Sequence, residues 1–341
     1  MTAPGLSVVV PTLNRRDAVL RLLRALAKQT TPPDRFEVVV VVDGSTDGTV
    51  EAVDSFVAPF TLRRVVQPQT GLAAARNAGA RAADREIVLF LDDDMEPAED
   101  MLGAHLASHE DRTVLGVVGA APIVVPPDAS PIVRYRAAGF ARKLERLASR
   151  RTQLAFNDVY GGNFSIRRSR FLDAGGYDEA FRAYGHEDYE LSLRLARSEG
   201  RFVFSPEAIA HQHYAKTLRE LAANVESEGR TAVLFARKHP EVLSALTLGS
   251  FRRRSQTTRA RRTALVTASR LYPELTSRMV SSVEQRERRA PPDGDRALFA
   301  RYDALFDALY WIGAERALHE CGAPRWRIAV RDVERWIRAA P

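Results

Sequence analysis

The sequence predicts an α/β fold: a mostly parallel central sheet flanked by helices, followed by a helical C-terminal appendage. Short apolar runs alternate with segments of helical periodicity through the first hundred residues. Repeated strand–helix units of this spacing form parallel sheets with right-handed crossovers. The run Ile87–Leu91 is apolar at every position, which is typical of a strand buried on both faces of such a sheet.

The individual elements follow from the same patterns. The predicted strands are residues 6–11, 36–42, 62–66, 87–91 and 201–204. The predicted helices are residues 18–29, 49–56 and 71–83 and, in the appendage, 296–318 and 330–337. Aromatic residues at helical spacing in 296–318 indicate a packed helical module, and residues 290–295 are a predicted linker.

Composition agrees with a soluble globular protein that has a full core. The 341 residues are 45% hydrophobic and 27% charged, and a single cysteine, Cys321, excludes an internal disulfide. No apolar run approaches the ~18 residues that span a bilayer, and the amino terminus lacks the pattern of a signal peptide. We therefore expect a cytoplasmic protein.

The net charge of +7 is concentrated near the carboxyl terminus. From Ser250 onward there are 19 arginines and 11 acidic residues, whereas the rest of the chain is nearly neutral. Arginine blocks of this kind contact anionic lipid, nucleic acid or acidic polymers, but they are more often a solvated surface. We expect no nucleic-acid partner, and peripheral membrane contact through this region is a hypothesis.

Three consecutive aspartates follow the strand at residues 87–91. Asp92, Asp93 and Asp94 would lie at the carboxyl edge of the sheet, where open α/β folds bind ligands. Like charges repel there, and oxygen ligands suit Mg²⁺ or Mn²⁺ together with substrate phosphates. The alternative is a solvated acidic turn in which Asp94 caps a helix.

Other polar segments allow two interpretations each. Asp43 begins a Gly-rich loop and is placed to accept from a nucleobase N–H, although an ordinary Asx-turn has the same sequence. Glu187 and Asp188 are either catalytic carboxylates or the acidic first turn of a helix. Neither a Gly-x-Gly-x-x-Gly fingerprint nor a phosphate-binding Gly-x-x-x-x-Gly-Lys loop is present.

Seven segments occur in the order found in one family. They are VPTLNR at 10–15, VDGSTDGT at 42–49, GLAAARNAG at 71–79, LDDD at 91–94, GGNFS at 161–165, GGYDE at 175–179 and GHEDYEL at 185–191. Together they resemble the family-2 inverting glycosyltransferases with a GT-A fold, over about residues 5 to 240. The resemblance implies a catalytic domain at 1–245, with a nucleotide-binding half at 1–100 and an acceptor-binding half at 101–245. A basic, mainly helical region at 246–341 follows.

The resemblance also implies roles for the matching residues. Nucleotide-sugar binding is implied for Pro11, Thr12, Asn14, Arg15, Asp43, Arg76, Asp92 and Asp93. Metal binding is implied for Asp94, Asp92 and a histidine from the region of His211 and His213. Acceptor binding is implied for Gly161, Gly162, Asn163 and His186. Asp188 is the implied catalytic base, and Glu187 supports it.

The expected activity is transfer of a sugar from a nucleoside diphosphate sugar to an acceptor hydroxyl with Mg²⁺ or Mn²⁺. UDP-sugar is the favoured donor, although similar proteins use GDP- and dTDP-sugars. The acceptor is a glycan, a lipid-linked sugar or a small metabolite. The alternatives are a nucleotidyltransferase and a non-catalytic protein that binds nucleotide sugars or carbohydrate. Arg194 is expected to pair with Glu190 at i,i+4 spacing, a structural contact.

Overall fold

The computed structural model describes residues 5–289, 295–324 and 328–338. The chain forms two compact units. The sheet unit comprises Met1–Asp128, Arg136–Arg182 and Glu187–Tyr214, and the helical unit comprises Ala129–Tyr135, Ala183–His186 and Ala215–Pro341. The domain boundary at 245 and 246 stays a prediction. Of the linker at 290–295, only Asp295 is among the described residues, and it begins a helix.

All eight strands of the described residues belong to one sheet, in the order β3-β2-β1-β4-β7-β6-β8-β5. They are β1 Leu6–Thr12, β2 Phe36–Asp43, β3 Thr61–Gln67, β4 Ile87–Leu91, β5 Met95–Pro97, β6 Val114–Ala120, β7 Asn163–Arg167 and β8 Arg201–Gln212. The first four strands are parallel, as predicted. The sheet as a whole is mixed, because β7 runs antiparallel to β4 and β6, and β5 runs antiparallel to β8.

Helices cover the sheet and continue into the helical unit. Those that begin before residue 200 are α1 Arg16–Leu26, α2 Thr49–Asp54, α3 Leu72–Ala82, α4 Met101–Ser108, α5 Pro131–Ser149, α6 Arg168–Asp173 and α7 Glu187–Leu195. The later ones are α8 Leu218–Lys238, α9 Gln256–Leu271, α10 Leu275–Glu287, α11 Asp295–Glu320 and α12 Val333–Arg338. The α/β class and the additional C-terminal helices are confirmed.

Successive side chains of β1 point to opposite faces of the sheet, and each face has its own hydrophobic core. Val8 packs in a cluster with leucines of α1, whereas Val9 packs in a second cluster with alanines of α3. Gly79 lets α3 lie directly on the strands, because a Cβ there would collide with Val9 and lie 3.0 Å from Cγ2 of Val41. This close approach carries the polar residues of α3 to the carboxyl edge of the sheet.

The helical unit holds much of its positive charge in internal ion pairs. Arg262 donates from Nε to Asp307 at 3.1 Å, and Arg230 lies 2.7 Å from Glu320. These arginines are therefore paired with carboxylates of the same unit, but the excess of basic over acidic residues remains. No helix among the described residues is both long and apolar enough to cross a bilayer. Membrane contact stays a prediction.

Candidate active site

The loop after β1 is fastened to the acidic segment after β4. Thr12, the last residue of β1, donates from Oγ1 to Oδ2 of Asp93 at 2.8 Å. Arg15 donates from Nη1 to Oδ1 of Asp93 at 2.6 Å. Pro11 is buried one residue earlier in β1. Asp93 is thus bound on both oxygens by neighbours in the sheet unit and holds the two loops together.

The loop after β2 is held by side chains on both sides. Asn14 has a left-handed φ of 52°, and its Oδ1 accepts from the backbone N–H of Thr46 at 2.7 Å. Asp43, at the end of β2, accepts from the backbone N–H groups of Thr70 at 2.8 Å and Gly71 at 2.9 Å. Asp43 therefore shapes the entry to α3, and one of its oxygens accepts only from Gly71 among the described residues. Its part in reading a base stays a prediction.

Asp94 is the least compensated of the three aspartates. Its carboxylate is 3.6 Å from Nη1 of Arg15 and accepts a long hydrogen bond of 3.3 Å from Nε2 of Gln212. Burial, followed by repulsion from Asp92 and Asp93, raises the pKa of Asp94 to about 6. A cation bound beside Asp94 would therefore stabilise the charged form of this buried carboxylate.

The arrangement of carboxylates after β4 fits a divalent cation such as Mg²⁺ or Mn²⁺. Asp92 is half-buried and Asp94 buried, so two carboxylates stand at the sheet edge. The described residues contain no cluster of three or more histidine, cysteine or acidic side chains able to hold a metal by themselves. Such ions are commonly bound by one or two carboxylates, with water and substrate phosphates completing the shell. Asp94 and Asp92 would be the metal ligands that the protein contributes.

We expect Asp94→Asn to stabilise the metal-free protein at pH 7. The carboxyl pKa is raised in the folded state, so the folded protein loses stability as pH rises through about 6. Removing the charge should raise the free energy of unfolding by about 1–3 kcal/mol. Urea denaturation with a chelator at pH 7 and pH 4.5 tests this, and the gain should shrink at the lower pH.

The exposed Asp128→Asn is the control and should change the unfolding free energy little at either pH. A loss of stability in Asp94→Asn at pH 7 would contradict the assignment of Asp94 as a strained, uncompensated carboxylate.

The two histidines near the end of β8 both neighbour Glu96 of β5. His211 is exposed, and its strand partner across β5 is Glu96. His213 contacts Glu96 through Nε2 at 2.6 Å, and only its backbone N–H reaches Asp94, donating to the carbonyl oxygen at 2.9 Å. Gln212, which alternation places on the opposite face from His211, is the side chain directed at the Asp94 carboxylate. Metal binding by either histidine stays a prediction.

Arg76 joins the acidic edge to the acidic start of α7. Its guanidinium is 2% exposed and donates from Nη2 to Asp92 at 2.9 Å and from Nη1 to Asp188 at 3.1 Å. Nη1 also lies 3.7 Å from Oε1 of Glu187, and the guanidinium carbon is 5.2 Å from the centre of the Tyr177 ring. One buried arginine therefore fixes Asp92 and Asp188 relative to each other, a role that sequence reasoning did not assign.

Asp188 and Glu187 begin α7, where carboxylates favour the positive end of the helix dipole. Glu187 is buried, whereas Asp188 remains half-buried. Asp188 accepts from Arg76 on Oδ1 and from the backbone N–H of Gly161 on Oδ2, at 2.9 Å. Each oxygen keeps acceptor capacity, so this carboxylate is oriented and still able to receive a proton. Arg194 pairs with Glu190 at 2.7 Å, which confirms that structural contact.

Gly161 and Gly162 make room for the charged side chains. A Cβ at Gly161 would collide with Asp188 and lie 2.6 Å from Nη1 of Arg76, and one at Gly162 would lie 2.7 Å from Oδ2 of Asp92. A methyl group at either position would therefore force these charged side chains to move. Their contact with an acceptor stays a prediction.

Gly161→Ala should displace Asp188 and Arg76 and lower the rate of the expected sugar transfer by at least about tenfold. The reason is that small misplacements of reacting groups strongly slow a reaction. The matched control is Gly139→Ala in α5, where the nearest atom to an added Cβ is 3.9 Å away. Steady-state release of nucleoside diphosphate measures both variants. Equal rates in Gly161→Ala and the wild type would contradict this account.

Asn163 and His186 each have polar partners of their own. Asn163 is fully buried, and its amide donates to the carbonyl oxygens of Ala120 and Ala208 while His105 contacts its Oδ1 at 2.9 Å. Asn163 thus helps to hold β7 in the core, and its acceptor role stays a prediction. His186 belongs to the helical unit, where its Nδ1 lies 3.0 Å from Oγ1 of Thr231. Its acceptor role stays a prediction.

Comparison with protein families identifies two matching sequence models. The model described as glycosyl transferase family 2 matches residues 7–173, and the model described as the N-terminal domain of galactosyltransferase matches residues 143–217. Together these ranges run from the second residue of β1 to beyond the end of β8, and they include all of α7.

Curated relatives agree with these matches. Validoxylamine A glucosyltransferase of Streptomyces hygroscopicus subsp. limoneus is 33% identical over 267 residues, which is 71% of this chain and 58% of the relative. The pre-mycofactocin glycosyltransferase of Mycobacterium tuberculosis is 29% identical over 245 residues, which is 71% of this chain and 50% of the relative. The chain thus spans little more than half the length of these relatives.

Solved structures show the same fold at low identity. The mannosyltransferase PcManGT from Pyrobaculum calidifontis, in complex with GDP-Man and Mn²⁺, has a TM-score of 0.62 at 22% identity, covering 94% of this chain and 88% of its own. TarS of S. aureus in complex with UDP-GlcNAc has a TM-score of 0.51 at 18% identity, covering 92% and 91%. Fold, family models and curated relatives agree, and the chain belongs to glycosyltransferase family 2.

Proposed function

We propose that the chain is a metal-dependent inverting glycosyltransferase that moves a sugar from a nucleoside diphosphate sugar to an acceptor hydroxyl. The observation that carries this proposal is the pair of hydrogen bonds from Arg76 to Asp92 and Asp188. The buried Arg76 side chain thereby holds both Asp92, which is suited to a metal–diphosphate complex, and Asp188, which is suited to act as a base.

The donor side is assigned to the carboxyl edge of β1, β2 and β4. Asp94 and Asp92 would hold Mg²⁺ or Mn²⁺ there, and the bound ion would neutralise charge on the departing diphosphate. Arg15 stands beside Asp94 and adds positive charge at the same edge. Support comes from PcManGT and TarS, whose structures contain GDP-Man with Mn²⁺ and UDP-GlcNAc. UDP-sugar is the favoured donor.

The acceptor side is assigned to Asp188. Its carboxylate accepts the proton of the acceptor hydroxyl while the hydroxyl oxygen forms a bond to the anomeric carbon. The bond between that carbon and the diphosphate oxygen breaks on the opposite face, and the diphosphate leaves with the bonding electrons. Attack opposite the leaving group inverts the anomeric centre. The backbone N–H of Gly161 and the guanidinium of Arg76 hold Asp188 in place for this step.

Product analysis separates this proposal from a nucleotidyltransferase and from a binding protein. The protein is incubated with Mn²⁺ and, separately, UDP-glucose, UDP-GlcNAc and GDP-mannose, with water or added sugars as acceptor. A glycosyltransferase releases nucleoside diphosphate, a nucleotidyltransferase releases pyrophosphate, and a binding protein releases neither. Loss of nucleoside diphosphate release in Asp188→Asn, which is otherwise folded, completes the test.

A further inference from the structure

Lys143, on α5, carries its ammonium on an aromatic surface beside the proposed base. Nζ lies 4.7 Å from the centre of the Tyr160 ring and 5.9 Å from that of Phe140. The two rings meet edge to face, with centres 5.4 Å apart. Tyr160 directly precedes Gly161, whose N–H holds Asp188. The ammonium therefore stands over the chain segment that positions the base.

Nothing in the described part of the protein pairs with this ammonium through a hydrogen bond or an ion pair, although the side chain is half-buried. Among nearby charges, Asp188 attracts it most strongly, followed by repulsion from Arg146, attraction by Asp158 and repulsion from Arg136. Asp188 is already bound to an arginine and a backbone N–H, as described above. Contact with the aromatic faces only partly offsets the loss of water around the ammonium.

The carboxylate of Asp158 is likewise committed to its own surroundings. It accepts from the backbone N–H of Ala155 at 3.1 Å and lies 3.6 Å from Nη2 of Arg146. Burial lowers the pKa of Lys143 from its ordinary value to about 8, so the ammonium is still the main form at neutral pH. The site therefore combines the Lys143 ammonium, the surface of two aromatic rings and the neighbouring Asp188 carboxylate. The ammonium is available to bind an anionic ligand.

Residue choice supports a specific use of this position. Of the 50 basic residues in the chain, only four are lysines, at positions 28, 143, 216 and 238. A lysine ammonium is a compact point charge on a flexible stem, and it loses its proton more readily than a guanidinium when buried.

We propose that Lys143 binds an anionic group of the acceptor, a carboxylate or a phosphate, next to the hydroxyl that Asp188 deprotonates. The inference rests on the proposed function, since it assumes that Asp188 faces the acceptor. It adds a substrate class: an acidic sugar or a phosphorylated acceptor, held over the rings of Tyr160 and Phe140.

The test follows the lysine side chains by NMR in full-length protein labelled with ¹³C at lysine Cε. With four lysines, the Lys143 resonance is assigned from its loss in Lys143→Met, and the exposed Lys28→Met is the matched control. Glucuronate, glucose 6-phosphate and glucose are the probes, at pH 7 with UDP and diamagnetic Mg²⁺ present. We expect glucuronate, glucose 6-phosphate or both to shift the Lys143 resonance, and glucose to leave it unmoved.

The two anionic probes distinguish a carboxylate from a phosphate ligand. Binding of the preferred anion should weaken by at least about tenfold between pH 7 and pH 9.5, as the ammonium loses its proton. Lys143→Arg, which stays charged, should bind it nearly equally at both pH values. Equal shifts with glucose and with both anions, or no shift with any of them, would overturn the inference.

The experiment also separates this inference from the proposed function. If UDP with Mg²⁺ alone shifts the Lys143 resonance, and Lys143→Met loses nucleotide affinity, the residue lies on the donor side and the inference fails while the glycosyltransferase proposal stands. If the protein releases no nucleoside diphosphate from any donor, the proposed function fails first.

Discussion

Asp188→Asn is expected to lower sugar transfer by about 10²–10⁴-fold while nucleotide binding stays close to that of the wild type. The amide keeps the size of the carboxylate and an oxygen acceptor but cannot take a proton from the acceptor hydroxyl. Its contact with Arg76 is weakened, so a small effect on the donor side is expected through Asp92. The measurement is nucleoside diphosphate release, with water or sugar as acceptor, together with the dissociation constant for UDP and Mn²⁺.

The control for this variant is Asp173→Asn, an exposed carboxylate at the end of α6. It should leave both the rate and the dissociation constant unchanged. A rate in Asp188→Asn within threefold of the wild type would show that another group takes the proton. A loss of nucleotide binding as large as the loss of rate would place Asp188 on the donor side.

Arg76→Met is expected to lower the free energy of unfolding by about 3–5 kcal/mol, because it leaves one buried and two half-buried carboxylates without their cation. The affected groups are Asp92, Glu187 and Asp188, which lie within 3.7 Å of the guanidinium nitrogens. Methionine fills a similar volume, so the loss is mainly electrostatic. Urea denaturation at pH 7 measures it, and transfer should be lost even where the variant is folded.

The control is Arg81→Met, which removes an exposed arginine from the same helix, α3, and should cost little stability. Arg76→Lys should restore part of the stability but little activity, because an ammonium cannot hold two carboxylates in the geometry of a planar guanidinium. Unfolding of Arg76→Met at the same urea concentration as the wild type would contradict the structural role assigned to Arg76.

The sequence predicts the first half of this fold well because its signals are local. The run of β4 is apolar throughout, whereas those of β1 and β2 are interrupted by Ser7 and Glu37. Each run is followed by polar residues that mark the sheet edge. The strand β7 has a weaker hydrophobic pattern, because its five residues include Ser165 and an asparagine. The sequence pattern therefore marks this segment as a family motif and not as a strand. Its antiparallel pairing depends on partners far along the chain.

The site shows the same limit more sharply. The motif at 71–79 implies nucleotide binding for Arg76, but its partner Asp188 is 112 residues away, a separation that no local pattern spans. Gln212 lies between two histidines and carries no motif of its own, although strand alternation puts it on the other face. Lys143 is a single basic residue on a helix, so no spacing marks it. Contacts between distant segments decide all three.

Calorimetric titration of UDP with Mn²⁺ into the wild type and Asp94→Asn tests the central claim most directly. The account predicts that the wild type binds UDP with Mn²⁺ and more weakly with chelator, and that Asp94→Asn loses at least about tenfold in affinity while remaining folded. GDP and dTDP in parallel identify the preferred base. Equal affinity in wild type and Asp94→Asn, with or without the metal, would contradict a donor site built on the aspartates after β4.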